Sequence, residues 1–306
     1  MDRLEAMAML VSSVEEGSLS AAARKLRIPV ATLTRNVNDL EAAIGTKLLV
    51  RTTRKLLLTD AGTDYVAAAR RILEQVDEQE RRAAGEFTNP RGELVVTTPV
   101  QVARLRVLPV INQFLTQFPE IRIQLLQSDR NIDLVDSQAD VAVRIGRLGD
   151  SSLVATRVGM LRVVVVAGPQ LVKKHGVPRS PEDLHGYPRV VFNSPLLSPW
   201  RFRHQDANEI YTVSETPRLL VSSPDAAADA AIDGVGATLL LEHDVAEAVR
   251  ARKLRFILQE FEVDPIPVHL VHLSREMMPV KLRRFIDFAV PKLREALADF
   301  GRRPSR

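Results

Sequence analysis

The chain has 306 residues, of which 45% are hydrophobic and 26% charged, with a net charge of +4 and no cysteine. That is enough chain for two or three domains with sizeable cores, and the missing cysteines exclude disulfides, thiol catalysis and thiolate metal sites. With no run of about 18 uncharged apolar residues, and with Asp2, Arg3 and Glu5 where a leader would be basic then apolar, the chain is expected to be cytoplasmic with no membrane partner.

Leu4, Met7, Ala8, Leu10, Val11 and Val14 recur at three- and four-residue spacing and predict an amphipathic helix that closes at Gly17. Ser18 and Ser20 can cap the next helix, "LSAAARKLRI", in which Ala21 to Ala23 are small enough to let another helix come close. The third helix follows Pro29 and reads "IPVATLTRNVNDLE". Its expected buried stripe is Leu33, Val37, Leu40 and Ile44, which lie within about 60° of one another on the helical wheel. Its opposite face is Ala31, Thr34, Arg35 and Asn38 with Thr32 on the flank, where a surface helix would ordinarily carry Glu and Lys. After Gly45, "KLLVRTT" and "RKLLLT" predict two short strands around a Thr-Arg-Lys tip. Between Arg24 and Lys55 eight basic residues meet only Asp39 and Glu41, a local excess of +6 that exceeds the charge of the whole chain and suits phosphate contacts. Helix, short helix, longer helix and basic ribbon make a winged helix-turn-helix, whose recognition helix enters the major groove of double-stranded DNA while the ribbon lies over the backbone.

The stretches "GSLSAAARKLRI" and "TLTRNVNDLEAAIGTKLLVRTTRKLLLTDAG" resemble the N-terminal domain of the LysR-type transcriptional regulators, with Leu40-Glu41, Gly45, Leu48, Arg51 and Thr59-Asp60-Ala61-Gly62 at the family's signature positions. The chain departs from that pattern at Pro29 and Val30, where the family commonly has a small hydroxyl residue and then glutamine, and at Leu49 in place of phenylalanine. Resemblance and helical wheel together give the expected DNA-facing set: Ser20, Val30, Ala31, Thr32, Thr34, Arg35 and Asn38, with Arg51, Thr53, Arg54 and Lys55 on the ribbon. Arginine can be bidentate to guanine and asparagine to adenine, and alanine, valine or a threonine methyl can meet the thymine methyl. The ribbon cations are expected on phosphates, which position the domain without reading sequence.

From Asp60 to about Ala84 a longer helix is expected, with Tyr65, Val66, Ala69, Ile72, Leu73 and Val76 as its stripe. A long helix with one stripe needs a partner, either the same helix of a second chain or a surface of its own. The resemblance implies the former, hence a homodimer or homotetramer. "GEFTNPRGE" then reads as a linker.

Beyond Glu93 the pattern changes to β-α alternation. "ELVVTT", "IRIQLLQS", "ADVAVRIG" and "LRVVVVAGP" read as strands, "VLPVINQFLTQFP" and "NIDLVDSQ" as helices, "VSSPDAAADAAIDGVGATLLL" as strand end, helix and strand, and "VHLVHL" with "PVKLRRFIDFAVPKLREAL" as the last strand and helix. These apolar runs predict a mostly parallel sheet with helices on both faces. No G-x-S-x-G, P-loop or H-E-x-x-H occurs, so no enzyme is expected and no cofactor is implied. His269 and His272 lie three apart in a strand, on opposite faces, and do not readily share a metal. Gly234-x-Gly236 lacks a third glycine and closes a helix where a dinucleotide fingerprint opens one, so it reads as a turn.

Over this half the resemblance implies a two-lobed, periplasmic-binding-protein-like effector domain. The expected organisation is therefore α/β: a winged helix-turn-helix at 1–59, a linker helix at 60–89 and an effector domain at 90–306, with lobe I about 90–163 and 267–306 and lobe II about 164–266. The family often has proline after the strand beginning at Ala237, where this chain has Leu241 and Glu242. Ligands of open α/β sheets bind beyond the strand C-terminal ends. The residues so placed are Thr98, Pro99, Val100, Gln101, Ser128, Ile145 and Gly146 on one side, and across the cleft the resemblance implies Asn193, Ser194, Ser223, Pro224 and Asp225. They suit a small carboxylate or aromatic effector. The function expected is a ligand-responsive transcription factor, the alternative being a constitutive repressor with a vestigial cleft.

Overall fold

The computed structural model describes residues 2–51, 56–83, 89–129, 134, 137–148, 153–203, 210–213, 216–273 and 278–301, and the chain divides into two compact units, Met1–Gly92 and Glu93–Arg306.

In the first unit, the Asp2 carboxylate accepts the Leu4 N–H at 2.9 Å and caps α1 (Arg3–Glu15). Ser18 rather than Ser20 caps α2 (Leu19–Leu26), accepting the Ala21 N–H at 3.1 Å. α3 (Val30–Ile44) follows Pro29, and Ala22, Ala23, Leu33, Val37 and Leu40 close a core with Ala6 and Leu10 of α1. The expected stripe is corrected at one position: Ile44 is 38% exposed, and the buried place is taken by Glu41 at 4%. Gly45 turns the chain so that the next strand presents its amides to that side of α3. There Glu41 Oε1 accepts the Leu48 and Leu49 N–H groups at 2.9 and 3.0 Å, and Lys47 Nζ donates to Oε2 at 2.6 Å. Glu41 therefore ties the third helix to the antiparallel ribbon β1 (Leu49–Arg51) and β2 (Leu56–Leu58).

α4 (Asp60–Ala83) begins at Thr59, whose hydroxyl donates to the Lys47 carbonyl at 2.8 Å and accepts the Gly62 N–H at 2.9 Å. A Cβ at Gly62 would lie 2.0 Å from the Leu48 carbonyl oxygen, so only glycine permits this close approach. The run Thr59-Asp60-Ala61-Gly62 is thus the joint between ribbon and helix. The stripe of α4 divides: Val66 and Ala69 are buried in the first unit's own core with Tyr65 and Leu73 packed on it, whereas Ile72 remains 39% exposed.

The second unit holds two five-stranded sheets and a hairpin. β3 (Gly92–Thr98) leads into α5 (Val100–Val102), a π turn (Ala103–Val107) and α6 (Leu108–Gln117), then β4 (Ile121–Gln127), β5 (Val141–Ile145) and β6 (Leu153–Leu161). The chain crosses to the second sheet through β7 (Val163–Ala167), α7 (Pro169–His175), β8 (Arg189–Phe192), the hairpin β9 (Trp200–Arg203) and β10 (Ile210–Val213), β11 (Leu219–Val221), α8 (Pro224–Ile232), β12 (Ala237–Leu241), α9 (Glu242–Arg250) and β13 (Arg255–Ile257). It returns through β14 (Ile266–Leu273) and ends in α10 (Val280–Leu297). The sheet orders are β4-β3-β5-β14-β6 and β11-β8-β12-β7-β13. β7 and β12 are buried along their whole length, which is why they read as unbroken Val and Leu runs. Of the helix expected over "NIDLVDSQ", residues 131–133 and 135–136 lie outside the described residues, and Leu134 stands in a turn.

The expectation of mostly parallel sheets is corrected as well. β3 with β5, and β8 with β11 and β12, are parallel, but β14 is antiparallel to β5 and β6, and β7 to β12 and β13. The two exceptional strands are those that carry the chain from one sheet to the other. One residue separates β6 from β7, and a short 3-10 turn (Gln259–Phe261) precedes β14, so neither crossing has the α-helix that would return the chain parallel.

Both crossings meet at a buried ion cluster. Arg162, between β6 and β7, donates from Nε and Nη2 to Glu262 at 2.9 and 2.8 Å, and from Nη1 to Glu242 at 2.9 Å. Arg162 and Glu262 are 5% and 6% exposed. Among the described residues no helix is long and apolar enough to cross a membrane.

Candidate functional site

On α3 the side chains opposite Leu33, Val37 and Leu40 form one face: Val30, Ala31, Arg35 and Asn38 are exposed, Thr32 and Thr34 half-buried on its flanks. Ser20 is exposed on α2. Arg51 ends β1, but its side chain, like all of Thr53, Arg54 and Lys55, lies outside the described residues. No side chain caps α3 at Pro29, so its amino-terminal dipole is not met by a group of its own. Behind this face, burial pushes the Glu41 carboxyl upward, but the Lys47 ammonium and the Leu49 and Leu48 N–H groups outweigh it and hold the carboxyl below its ordinary range. The buried tie is therefore an anion at neutral pH.

In the second unit the C-terminal ends of β3, β5, β8 and β12 converge from the two sheets on a cavity of about 360 Å³. Thr98, Pro99, Gln101, Ser128, Ile145, Gly146, Ser194 and Pro224 line it. Thr98 and Gln101 are buried, and Ser194 Oγ accepts the Leu196 N–H at 3.3 Å. Val100, Asn193, Ser223 and Asp225 stand outside the lining. The Val100 N–H is taken by Asp129 Oδ1 at 3.1 Å, exposed Asn193 bonds through its backbone to Val221, and Ser223 caps α8. Asp225 engages a lining residue instead: it accepts a hydrogen bond from Gln101 Nε2, and Arg104 sits 3.6 Å from the same carboxylate oxygen while donating to Gln101 Oε1 at 3.1 Å.

Strand-end reasoning overlooked the end of β12. There the apolar run stops at Leu241 and α9 opens with Glu242, His243 and Asp244, the last two lining the cavity together with Arg144, Arg147 and Asp129. His243 is 3% exposed, and burial, aided by the Arg106 charge, lowers its imidazole to about 3, so it is neutral. Burial raises the Asp244 carboxyl to about 7; the Leu241 N–H opposes this, and Asp225 and Asp129 reinforce it. The signal was present in the sequence: a polar triplet directly follows three leucines, where family members commonly place proline.

His272 is buried with Nδ1 2.9 Å from the Leu273 carbonyl, and His269 is half-buried on the alternate face of β14. Gly234 ends α8 at φ +75°, and a Cβ on Gly236 would lie 2.8 Å from the Arg189 backbone, so this pair is a tight turn into β12.

Two family models match the chain: the bacterial regulatory helix-turn-helix protein of the lysR family over residues 4–63 and the LysR substrate binding domain over residues 88–294. An HTH-type transcriptional regulator of Xanthomonas campestris pv. campestris (strain 8004) is 32% identical over 294 residues, covering 93% of this chain and 84% of that protein. The LysR-type transcriptional regulator CrgA of Neisseria meningitidis is 32% identical, its solved structure matching 94% of this chain and 98% of its own at a TM-score of 0.61. The full-length virulence activator AphB of Vibrio cholerae matches at a TM-score of 0.62 with 29% identity, over 94% of this chain and 98% of its own. With both units matched by its models and relatives aligned over nearly the whole length, the chain belongs to the LysR family of helix-turn-helix transcriptional regulators.

Proposed function

We propose that this regulator binds a pseudo-palindromic operator as a dimer or tetramer and changes its DNA contacts when a small effector occupies the cleft between the two sheets. The observation that carries this reading is the 360 Å³ cavity, walled by strand ends of both sheets and bridged by Gln101 and Asp225. A ligand there touches both lobes at once, and so has different contacts in an open and a closed arrangement, which is what population shift requires. In this reading residues 1–59 hold the DNA, 60–89 the dimer helix and 90–306 the effector.

On the DNA side, Val30, Ala31 and Thr32 meet thymine methyls, Thr34, Arg35 and Asn38 reach base edges, and Ser20, Arg51, Thr53, Arg54 and Lys55 serve backbone and register. Arg35→Ala is expected to weaken operator binding about 10- to 100-fold while leaving binding to unrelated DNA nearly unchanged. Fluorescence anisotropy on both duplexes across a salt series checks this. An equal loss on both, with the salt slope reduced by about one, would show Arg35 on a phosphate.

The dimer reading is supported by Ile72, which α4 leaves exposed beyond the part of its stripe that its own unit buries. Deleting the helix would remove Val66 and Ala69 from that core, so paired Ile72→Glu and Val76→Glu substitutions are the cleaner test. Sedimentation equilibrium at micromolar concentration is expected to show monomers, and an intact dimer would refute the assignment.

A further inference from the structure

The cavity's polar groups are not evenly satisfied. Three donors at its strand and helix ends are already engaged by the protein's own acceptors: the Val100 N–H by Asp129, the Ala226 N–H by Ser223, and Gln101 Nε2 by Asp225. The deep end presents the opposite need. Asp244 lines the cavity with its side chain 5% exposed; its Oδ2 accepts the Leu241 N–H at 3.2 Å, while Oδ1 is buried with no hydrogen bond. His243 Nε2 lies 3.1 Å from that oxygen, but neither ring nitrogen of His243 forms a hydrogen bond. A buried acceptor without a donor costs free energy that a ligand can recover.

We propose that Asp244 is a specificity-determining residue of the cleft and that the effector presents to its Oδ1 a positively charged nitrogen, as an amine, amidine or guanidine does. This rests on the reading of the cleft as the effector site and replaces the carboxylate or aromatic class that strand-end reasoning favours. Asp129 and Asp225 add to the negative field at Asp244, and Arg104 opposes it. Neutral His243 brings no charge to the carboxylate, and Arg106, half-buried against Phe300, is the cation that acts on it from behind. Arg147 of the lobe I wall can receive a carboxylate of the same molecule, so amino acids belong to the class. A cation beside a carboxyl that titrates at about 7 drives its proton off, so affinity rises with pH through that value and binding releases a proton.

The test uses the full chain in thermal-shift and isothermal titration with two matched pairs: putrescine against 1,4-butanediol, and phenethylamine against phenethyl alcohol. Succinate and phenylacetate serve as anionic probes. At least one amine at about 10 mM is expected to raise Tm where its matched alcohol does not, with affinity falling as pH drops from about 8 to about 6. Asp244→Asn retains an acceptor for the Leu241 N–H and the same volume, and is expected to weaken that amine at least about tenfold with basal Tm nearly unchanged. Should the anions stabilise and the amines not, the cleft is an effector site but its assigned class is wrong. Amine binding that survives Asp244→Asn, or no amine-dependent shift at all, overturns the proposal. Filling the cavity with Gly146→Leu separates the two readings, because it removes every cleft ligand, of whatever charge.

Discussion

Arg162→Ala is expected to destabilise the second unit by about 3–5 kcal/mol, because it strands two buried carboxylates. Burial already raises the Glu242 carboxyl, with the Arg162 guanidinium opposing it, and Glu262 is 6% exposed with both oxygens on Arg162. Removing the cation leaves each glutamate the choice between an uncompensated charge and a proton. Carboxyls held above their unfolded value of about 4.3 stabilise most below it and lose that contribution as pH rises through the folded value. The deficit of the variant is therefore expected to shrink between pH 7 and pH 5. Trp200, the only tryptophan, is 2% exposed in the second unit, so its fluorescence follows urea unfolding of that unit within the full chain. A loss under about 1 kcal/mol at pH 7 would mean that solvent reaches the glutamates and that the cluster braces nothing. Replacing all three residues by apolar ones of similar volume is expected to recover much of the stability, since buried ion clusters are seldom better than good packing. It would not restore the geometric restraint at the two strand crossings, where any closure of the lobes must bend the chain.

Much of this architecture is legible from periodicity, and what is not has a common cause. The three helices, the ribbon and the strand ends around Thr98, Ile145 and Ser194 follow from local spacing, because each buries a stripe set by its own repeat. Glu41 escapes that logic: its burial is decided by the Leu48 and Leu49 amides that Gly45 folds back onto it, which no helical wheel contains. Arg162 and Glu262 stand 100 positions apart and meet only because two strands cross between sheets at the same place. The antiparallel course of β7 and β14 follows from those same crossings. At the cleft, strand-end reasoning applied to β3, β5 and β8 finds residues that line the cavity, and the same rule applied to β12 would have found His243 and Asp244. The helix N-termini are less open to an anion than strand-end reasoning assumes, because Asp129 takes the Val100 N–H and Ser223 the Ala226 N–H.

Glu41→Ala is expected to destabilise the first unit by about 2–4 kcal/mol, since it leaves the Leu48 and Leu49 N–H groups buried without an acceptor and opens a void under the ribbon. The consequence reaches DNA binding through geometry. With β1 no longer tied to α3, the ribbon loses its fixed distance from that helix, so on the proposed DNA-binding reading affinity is expected to fall by a similar factor on operator and unrelated DNA. That uniform loss distinguishes Glu41→Ala from Arg35→Ala, which spends its effect on the operator alone. Glu41→Gln separates shape from charge. Its carbonyl oxygen can still accept both amides, so only the charge-assisted part and the Lys47 pair are lost, and Lys47, with its side chain 73% exposed, contributes little of that. Because the folded carboxyl lies below its unfolded value, Glu41 stabilises above about pH 4.3 and loses that contribution as pH falls through the folded value. Glu41→Gln is therefore expected to flatten the acid limb of first-unit stability, and hydrogen exchange at the Leu48 and Leu49 amides reads this out directly. Unchanged protection of those two amides in Glu41→Ala would mean that the ribbon is held by the Thr59 and Gly62 joint alone. The fold would then owe its wing to the close approach of one glycine, and the carboxylate would be a passenger.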